Sequence, residues 1–297
     1  MRNATSDPRT SIAAVVDDAA GRLERAGVRS GRPEARALWA ALAGTSSGDV
    51  WLRRENSADG QRVAAFQEAV ERRAGGMPFA YAAGRVTFRT LDLRIDGRAL
   101  IPRPETEGLV ELVLRWASDA HRSGGVVADI GTGSGCIALS LAVEGTFERV
   151  VAVDASAPAC SLARENVAMV RPRVPVEVRE GNLLAALDGG RYRAIVANPP
   201  YLTEDEYGAL DPAVREYEPR AALVSGPDGL DATRQLFDGA PSLLEPGGLL
   251  ALEIDERRSA QVLALADRSR WSRVDVLEDL FGRPRYALAT AREESIA

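Results

Sequence analysis

The chain of 297 residues contains no lysine, one histidine and two cysteines, and aromatic residues make up 5% of it. So few histidines and cysteines argue against a structural metal site and against a disulfide framework. The single histidine, His121, falls in a predicted surface loop. No apolar run approaches the roughly 18 residues that a membrane span requires, and the N-terminus lacks the apolar core of a signal peptide. We therefore expect a cytoplasmic protein without metal.

The charge pattern lacks a concentrated basic face. The net charge is −6, and all 37 basic residues are arginine. Residues 1–80 hold 12 arginines and 10 acidic residues, a balance of +2, so the rest of the chain carries −8. Broad binding to a phosphate backbone needs clustered positive charge. We expect no extensive binding of nucleic acid.

The hydrophobic pattern divides the chain into three parts. Residues 1–78 show helical periodicity and predict a small helical domain, with Trp39 and Trp51 in its core. Residues 79–103 alternate as a β-hairpin connector would. In residues 104–297 helices and strands alternate, which predicts an α/β domain with a doubly wound sheet. The expected strands lie near 126–128, 150–153, 174–179, 194–197, 249–254, 274–276 and 286–289.

The segment Asn198-Pro199-Pro200-Tyr201 follows the apolar strand 194–197. The two prolines fix φ and forbid both a helix and ladder pairing, so the strand ends at Asn198. The side chain is then held at the carboxyl end of a parallel strand, where open α/β sheets bind ligands. The asparagine oxygen and the Pro199 carbonyl can both accept hydrogen bonds from a planar NH2 group. That arrangement favours methylation of an amide or amine nitrogen by positioning, without a strong base.

A second motif, Asp129-Ile-Gly-Thr-Gly-Ser-Gly135, joins an earlier strand to a predicted helix. Its glycines allow a tight turn and close approach to a ligand. Asp154, at the end of the next strand, can accept hydrogen bonds from both hydroxyls of a ribose. These two features alone leave an NAD site open. The glycine spacing differs from the dinucleotide fingerprint, and together with Asn198-Pro-Pro-Tyr201 it favours S-adenosylmethionine.

The chain resembles the protein-(glutamine-N5) methyltransferases that modify peptide-chain release factors. The resemblance runs from about residue 80 to residue 289. It includes Leu100–Glu107, which reads Leu-Ile-Pro-Arg-Pro-Glu-Thr-Glu and is the narrowest signal, and Gly226–Leu230. It implies a Rossmann-like class I S-adenosylmethionine-dependent methyltransferase sheet of seven strands, the last antiparallel. It also implies release factors as protein partners, with the glutamine of their Gly-Gly-Gln loop as the methylated residue.

The motifs and the resemblance together give a set of site residues. Phe88 is expected either in the glutamine pocket, as the resemblance implies, or as a core aromatic of the hairpin. Tyr201 is expected either to stack on the substrate amide or to pack. The predicted catalytic residues are Asn198, Pro199 and Tyr201, and the predicted substrate-binding residues are Asn198, Pro199, Pro200, Tyr201 and Phe88. The predicted cofactor-binding residues are Asp129, Gly131, Thr132, Gly133, Gly135, Asp154, Asn182 and Asn198.

The chain departs from the family pattern at two positions. Asn182 stands where the family usually has an aspartate that binds the adenine amino group, and Asp255 stands where it usually has glycine. We expect Asn182 to accept through its amide oxygen, without charge assistance. Asp255 is expected to narrow or charge the pocket, unless the loop shifts. Arg103 is expected to anchor Glu105 or Glu107, or to reach the cofactor carboxylate.

Two alternatives to glutamine methylation stay open at this stage. One is a relative that methylates another amide or amine, in a small molecule or a nucleobase. The other is a regulatory protein that binds the cofactor without turnover, against which the intact glycine loop and Asn198-Pro-Pro-Tyr201 argue.

Overall fold

The computed structural model describes residues 11–118 and 124–292, so His121 lies outside the described residues. By internal contacts the chain forms two compact units, Met1–Arg85 and Val86–Ala297. The helices are α1 Ile12–Arg25, α2 Gly31–Ala43, α3 Ser47–Leu52, α4 Gly60–Ala74, α5 Phe79–Ala83, α6 Pro104–Ala117, α7 Cys136–Glu144, α8 Ala157–Val170, α9 Glu204–Gly208, α10 Pro212–Tyr217, α11 Asp231–Gly239 and α12 Ser259–Ala264. The strands are β1 Arg85–Phe88, β2 Leu91–Arg94, β3 Val126–Ile130, β4 Arg149–Asp154, β5 Val176–Glu180, β6 Tyr192–Ala197, β7 Leu244–Glu253, β8 Trp271–Glu278 and β9 Pro284–Ala291.

The first unit is helical, as the apolar periodicity predicts. Its core joins α1, α2 and α4, and Trp39 meets Phe66 edge to face with ring centroids 5.1 Å apart. The prediction that Trp51 is a core residue is wrong. Trp51 is 52% exposed because the short helix α3 buries Val50 instead. The Arg54 guanidinium lies over the Trp51 ring, 4.3 Å from its centroid.

The second unit contains a seven-stranded sheet in the order β5-β4-β3-β6-β7-β9-β8. The pairs β5-β4, β4-β3, β3-β6 and β6-β7 are parallel, whereas β9 runs antiparallel to both of its neighbours. The prediction of seven strands with an antiparallel last strand is confirmed. The β1-β2 hairpin forms a separate two-stranded sheet, while the predicted domain boundaries at 78 and 103 stay a prediction.

Both faces of the large sheet are buried, which explains its continuous apolar strands. Alternate residues of a strand belong to different apolar cores, as Val127 and Ala128 do. The first core includes α6 and α7, and the second includes α11 and α12. With both faces covered, the carboxyl edge of the parallel strands is where the sheet can receive a ligand.

Candidate active site

A cavity of about 540 Å³ opens at the carboxyl edge of β3, β4, β5 and β6. The register aligns these ends: Ile130 pairs with Val153 on one side and Ala197 on the other, and Asp154 pairs with Glu180. The segments that follow the four strands therefore meet around one space. The segments after the strands contribute Gly131, Thr132, Gly133, Ser134, Asp154, Asn182, Leu183, Asn198 and Pro200 to the lining. Arg103, just before α6, and Thr106, in its first turn, also line the cavity.

The glycine loop between β3 and α7 forms one wall of this cavity. The backbone N–H groups of Gly131 and Thr132 both donate to the Val153 carbonyl, at 2.8 and 2.9 Å, so the loop bends over β4. Gly131 and Gly133 adopt φ values of +73° and +55°, which other residues rarely tolerate. A Cβ at Gly131 would meet nothing within 4 Å. The loop thus leaves backbone exposed beside open space.

Asp129 is a fully buried carboxylate under the glycine loop. Its Oδ2 accepts from Thr132 Oγ1 at 2.6 Å and from the Ala138 N–H at 3.1 Å. Its Oδ1 has no hydrogen-bond partner among the described residues. Burial raises the pKa of Asp129 to about 7, and the nearby Asp154 charge also raises it. Asp129 is not among the residues that line the cavity, so its contact with a cofactor stays a prediction.

Asp154 ends β4 and lines the cavity. Its Oδ2 accepts from the Gly133 N–H at 2.8 Å and its Oδ1 from the Ser156 N–H at 2.9 Å. Each carboxylate oxygen keeps further capacity to accept. Asp154 is thereby fixed by backbone contacts while both oxygens stay able to receive hydroxyl groups.

Asn182 follows β5 and begins the short 3-10 turn Leu183–Ala186 without capping it. Its side chain is exposed at the cavity wall, next to Leu183, which has a positive φ of +46°. The walls thus combine oxygen acceptors, bare backbone and apolar side chains. This set fits a nucleoside cofactor with a positive charge, since it offers acceptors for ribose and ammonium groups and apolar contact for a base.

Asn198 lies at the end of β6, on the cavity. Its Nδ2 donates to Thr106 Oγ1 at 3.1 Å, and its Oδ1 accepts no hydrogen bond from the described residues. Pro200 also lines the cavity, whereas Pro199 is buried and is not among the lining residues, so the role of its carbonyl toward a substrate stays a prediction. An acceptor of the kind expected from the sequence is therefore available at the strand end.

The chain after Asn198 is pinned by a neighbouring segment. The N–H groups of Tyr201 and Leu202 donate to the Leu223 carbonyl, and Ser225 donates back to the Leu202 carbonyl at 2.9 Å. Tyr201 is half-buried, and burial, reinforced by the Glu253 charge, raises its pKa to about 12. Its phenol stays neutral at physiological pH. Tyr201 is not among the cavity-lining residues, so a packing role fits it at least as well as stacking on a substrate.

Phe88 is 1% exposed and belongs to the apolar core beside α6 and α7. It is not among the residues that line the cavity. The geometry gives Phe88 a packing role, and its contact with a substrate stays a prediction.

The segment Leu100–Glu107 makes contacts that were not predicted from the sequence. Arg103 pairs with Glu218 at 2.6 Å, not with Glu105 or Glu107. Glu218 is buried and its other oxygen accepts from the Ile101 N–H at 3.2 Å. Arg103 also lines the cavity, and its contact with the cofactor carboxylate stays a prediction.

Thr106 is the site residue that was hardest to identify from the sequence. It is buried in the first turn of α6, and its hydroxyl donates to Glu253 Oε2 at 2.7 Å while it accepts from Asn198. The available signal was a threonine among the charged residues at the start of a helix. Its partner Glu253 is the last residue of β7.

Asp255 does not narrow the cavity and is not among its lining residues. Its carboxylate receives hydrogen bonds from Arg257 and Arg258. Burial alone would raise the pKa of Asp255, but those hydrogen bonds and charges hold it below its ordinary value. The expectation that Asp255 narrows or charges the pocket is therefore wrong. Its carboxylate instead caps the turn Glu256–Arg258.

Within residues 11–118 and 124–292 no helix is long and apolar enough to cross a membrane. In the same residues no group of three or more His, Cys, Asp or Glu side chains is placed to hold a metal ion.

Two family models match the chain. The model described as PrmC N-terminal domain matches residues 14–84, and the model described as Methyltransferase small domain matches residues 111–213. The first match lies in the helical unit and the second covers the glycine loop and Asn198-Pro-Pro-Tyr201.

Curated relatives are similar over nearly the whole chain. A release factor glutamine methyltransferase of Moorella thermoacetica is 40% identical over 278 residues, covering 93% of this chain and 97% of that protein. A protein of the same name from Streptomyces coelicolor is 37% identical over 285 residues, covering 94% and 97%. One from Xylella fastidiosa strain Temecula1 is 44% identical over 220 residues, covering 74% and 78%.

Solved structures show the same fold at low identity. A methyltransferase from Pyrococcus furiosus has a TM-score of 0.51 at 20% identity, covering 70% of this chain and 91% of its own. The catalytic domain of hMettl16 has a TM-score of 0.55 at 16% identity, covering 80% and 84%. These two structures support the α/β methyltransferase fold of the second unit.

Proposed function

Because the chain belongs to the release factor glutamine methyltransferase family, we propose that it methylates the side-chain amide nitrogen of the glutamine in the Gly-Gly-Gln loop of peptide-chain release factors. S-adenosylmethionine is the methyl donor, and when bound it supplies an electrophilic sulfonium methyl group. The observation that carries the proposal is the position of the Asn198 amide beside a cavity suited to a nucleoside cofactor.

An amide nitrogen is a poor nucleophile because its lone pair is delocalised into the carbonyl. Asn198 Oδ1 and the Pro199 carbonyl would accept hydrogen bonds from the two hydrogens of the substrate NH2 group. Those bonds would orient the nitrogen and favour the pyramidal geometry that it reaches in the transition state. As the nitrogen takes the methyl group, the bond between sulfur and methyl would break to leave a neutral thioether, and the nitrogen would release one proton to water. Tyr201 would border the substrate amide, with a neutral phenol.

The cofactor would be held by the residues around the glycine loop. Asp154 would accept hydrogen bonds from the ribose hydroxyls and Asn182 from the adenine amino group, while the backbone at Gly131, Thr132 and Gly133 would border the remaining part; all five residues line the cavity. Asp129, fully buried under that loop, would hold Thr132 in place through their hydrogen bond. Gly135 ends the loop in a left-handed conformation and starts α7.

We propose that the helical domain, residues 1–78, takes part in recognising the release factor, and that the protein acts in the cytoplasm. The near-even charge of residues 1–80 supports a protein partner over an extended nucleic-acid surface. No observation favours a small molecule or a nucleobase as the acceptor.

Labelled methyl transfer from S-adenosylmethionine to a purified release factor tests the proposal. Label should enter the wild-type factor and not its variant with alanine in place of the Gly-Gly-Gln glutamine. If the wild-type factor stays unlabelled while another amide or amine accepts the methyl group, the proposed substrate is wrong.

The matched variants of this chain are Asn198→Ala and Tyr201→Phe. Asn198→Ala should abolish transfer while calorimetric binding of the cofactor persists. Tyr201→Phe keeps the ring and should keep most of the activity. Near-normal turnover by Asn198→Ala would contradict the amide-clamp mechanism.

A further inference from the structure

A chain of three side chains connects Asn198 to the end of β7. Asn198 Nδ2 donates to Thr106 Oγ1 at 3.1 Å, and the Thr106 hydroxyl donates to Glu253 Oε2 at 2.7 Å. Thr106 and Glu253 are each 2% exposed, so their mutual contact is shielded from bulk water, whereas Asn198 is half-buried at the cavity. The three residues come from α6, the end of β6 and the end of β7.

The direction of each hydrogen bond follows from the groups involved. An ionised carboxylate only accepts, so the Thr106 hydroxyl must donate its one hydrogen to Glu253. The Thr106 oxygen can then only accept from Asn198, and the amide nitrogen is the end of Asn198 that donates. A flipped amide would set the Asn198 oxygen against the Thr106 oxygen with no hydrogen between them.

We propose that Thr106 and Glu253 are positioning residues that hold the Asn198 amide with its oxygen toward the substrate NH2 group. The inference rests on the proposed function, because it assumes an amide substrate with two hydrogens to donate. Asn198 Oδ1 is the free end of the side chain on the cavity, as this role requires. The sequence separation of 147 residues between Thr106 and Glu253 shows that the contact is made only by the fold.

Glu253 sits among several other titratable groups. Glu105 lies on the same helix as Thr106, Arg285 and Tyr286 lie on β9, and Arg103, Tyr201 and Cys136 face it from other segments. Burial raises the pKa of Glu253 to about 7, whereas the Thr106 hydrogen bond and the Arg285 and Arg103 charges lower it.

Protonation of Glu253 would remove the constraint on the orientation of the Asn198 amide. A protonated carboxyl can donate to Thr106 Oγ1, which frees the Thr106 hydroxyl hydrogen to donate to Asn198 Oδ1. The Asn198 oxygen would then be occupied, and the amide could present its NH2 group to the substrate instead. Methyl transfer should accordingly fall as the pH drops through the titration of Glu253.

Thr106→Val and Thr106→Ser form a matched pair. Valine keeps the shape and removes the hydroxyl, so kcat should fall about 10- to 100-fold, the loss expected for one or two hydrogen bonds made in the transition state. Serine keeps the hydroxyl and should restore most of kcat. The cofactor dissociation constant and the thermal midpoint of Thr106→Ser should stay near those of the wild type.

Glu253→Gln keeps a hydrogen-bond acceptor at position 253 but removes the negative charge. The glutamine oxygen can still accept from Thr106, so activity at pH 8 should fall less than in Thr106→Val. The decline of kcat at acidic pH should be absent, because the titrating group is gone. A purely structural role of Glu253 would leave the acidic limb of the profile in place.

A spectroscopic measurement tests the same contact without any substrate. The side-chain NH2 resonances of Asn198, identified by their absence in Asn198→Ala, should be protected from hydrogen exchange in wild type and Thr106→Ser but not in Thr106→Val. If wild type fails to label a release factor, the proposed function fails, while this measurement still tests the Thr106 contact. Equal protection in Thr106→Val, or an unchanged kcat, would overturn the inference.

Discussion

Gly229 packs so closely on the Asn198-Pro-Pro-Tyr201 segment that a Cβ at position 229 would lie 2.4 Å from the Tyr201 carbonyl oxygen. The same Cβ would lie 2.8 Å from Arg258 Nε, which itself donates to the Asp228 carbonyl at 2.7 Å. With a φ of +75°, Gly229 satisfies two requirements at once: a left-handed conformation and close approach of backbone to backbone. The motif Gly226–Leu230 thereby holds the segment that carries Asn198.

Gly229→Ala should lower both stability and methyl transfer. The added methyl must displace the Tyr201 carbonyl, and a shift of about 1 Å at a positioned group can cost about 100-fold in rate. We expect kcat to fall at least about tenfold in labelled-transfer assays.

Gly282→Ala is the matched control for Gly229→Ala. Gly282 has the same φ of +75°, but its nearest contact for a Cβ is Glu278 Oε2 at 3.9 Å. The two variants share the strain of a left-handed alanine, and only Gly229→Ala adds the clash. Equal losses of kcat in both would show that the close approach to Tyr201 does not matter.

Asn182→Asp should bind the cofactor at least as tightly as the wild type. Asn182 is exposed at the cavity wall and does not cap the following turn, so the change has no visible structural cost. A charged acceptor makes a stronger hydrogen bond to an amino group than an amide oxygen does. Calorimetry on Asn182→Asp and Asn182→Ala checks this, with affinity expected to fall only in the alanine variant. A clear loss in Asn182→Asp would contradict the assignment of Asn182 to the adenine.

Much of this site is predictable from sequence because strand ends are local features. The glycine loop, Asp154 and Asn198 each follow an apolar strand directly, and parallel topology brings strand ends together. The contacts of Thr106 were not predictable, since its partners lie 92 and 147 residues away. The placement of Trp51 failed for a different reason: apolar periodicity cannot tell which residue of a one-turn helix faces inward, and Val50 does.

Asp129→Asn should stabilise the cofactor-free protein at pH 8 and much less at pH 5. Burial raises the pKa of Asp129 to about 7 in the folded state. At pH values between the pKa of Asp129 in the unfolded chain and about 7, Asp129 is protonated in the folded protein but ionised in the unfolded chain. The contribution of Asp129 to the free energy of unfolding therefore decreases as the pH rises through that range. The asparagine removes the buried charge while it keeps an acceptor for Thr132 and Ala138. Urea unfolding should show a gain on the order of 1–3 kcal/mol at pH 8.

The same variant at the two pH values is its own control, since any effect of lost packing would be equal at both. A change in unfolding free energy that is the same at pH 8 and at pH 5 would mean that the pKa of Asp129 is not raised in the folded protein.

Asp255→Ala should destabilise the protein without changing the Michaelis constant for either substrate. Asp255 receives a hydrogen bond from Arg258 at 2.7 Å, and Arg258 is itself buried, with Glu206 and the Asp228 carbonyl as its other partners. Removing one carboxylate leaves part of that buried charge uncompensated, although Glu206 still offsets some of it, so we expect a loss of about 1–3 kcal/mol in unfolding free energy. Asp17→Ala, which breaks an exposed pair with Arg32, should change the midpoint little. A changed Michaelis constant with unchanged stability would contradict this structural role and would support the position at the pocket that was expected from the sequence.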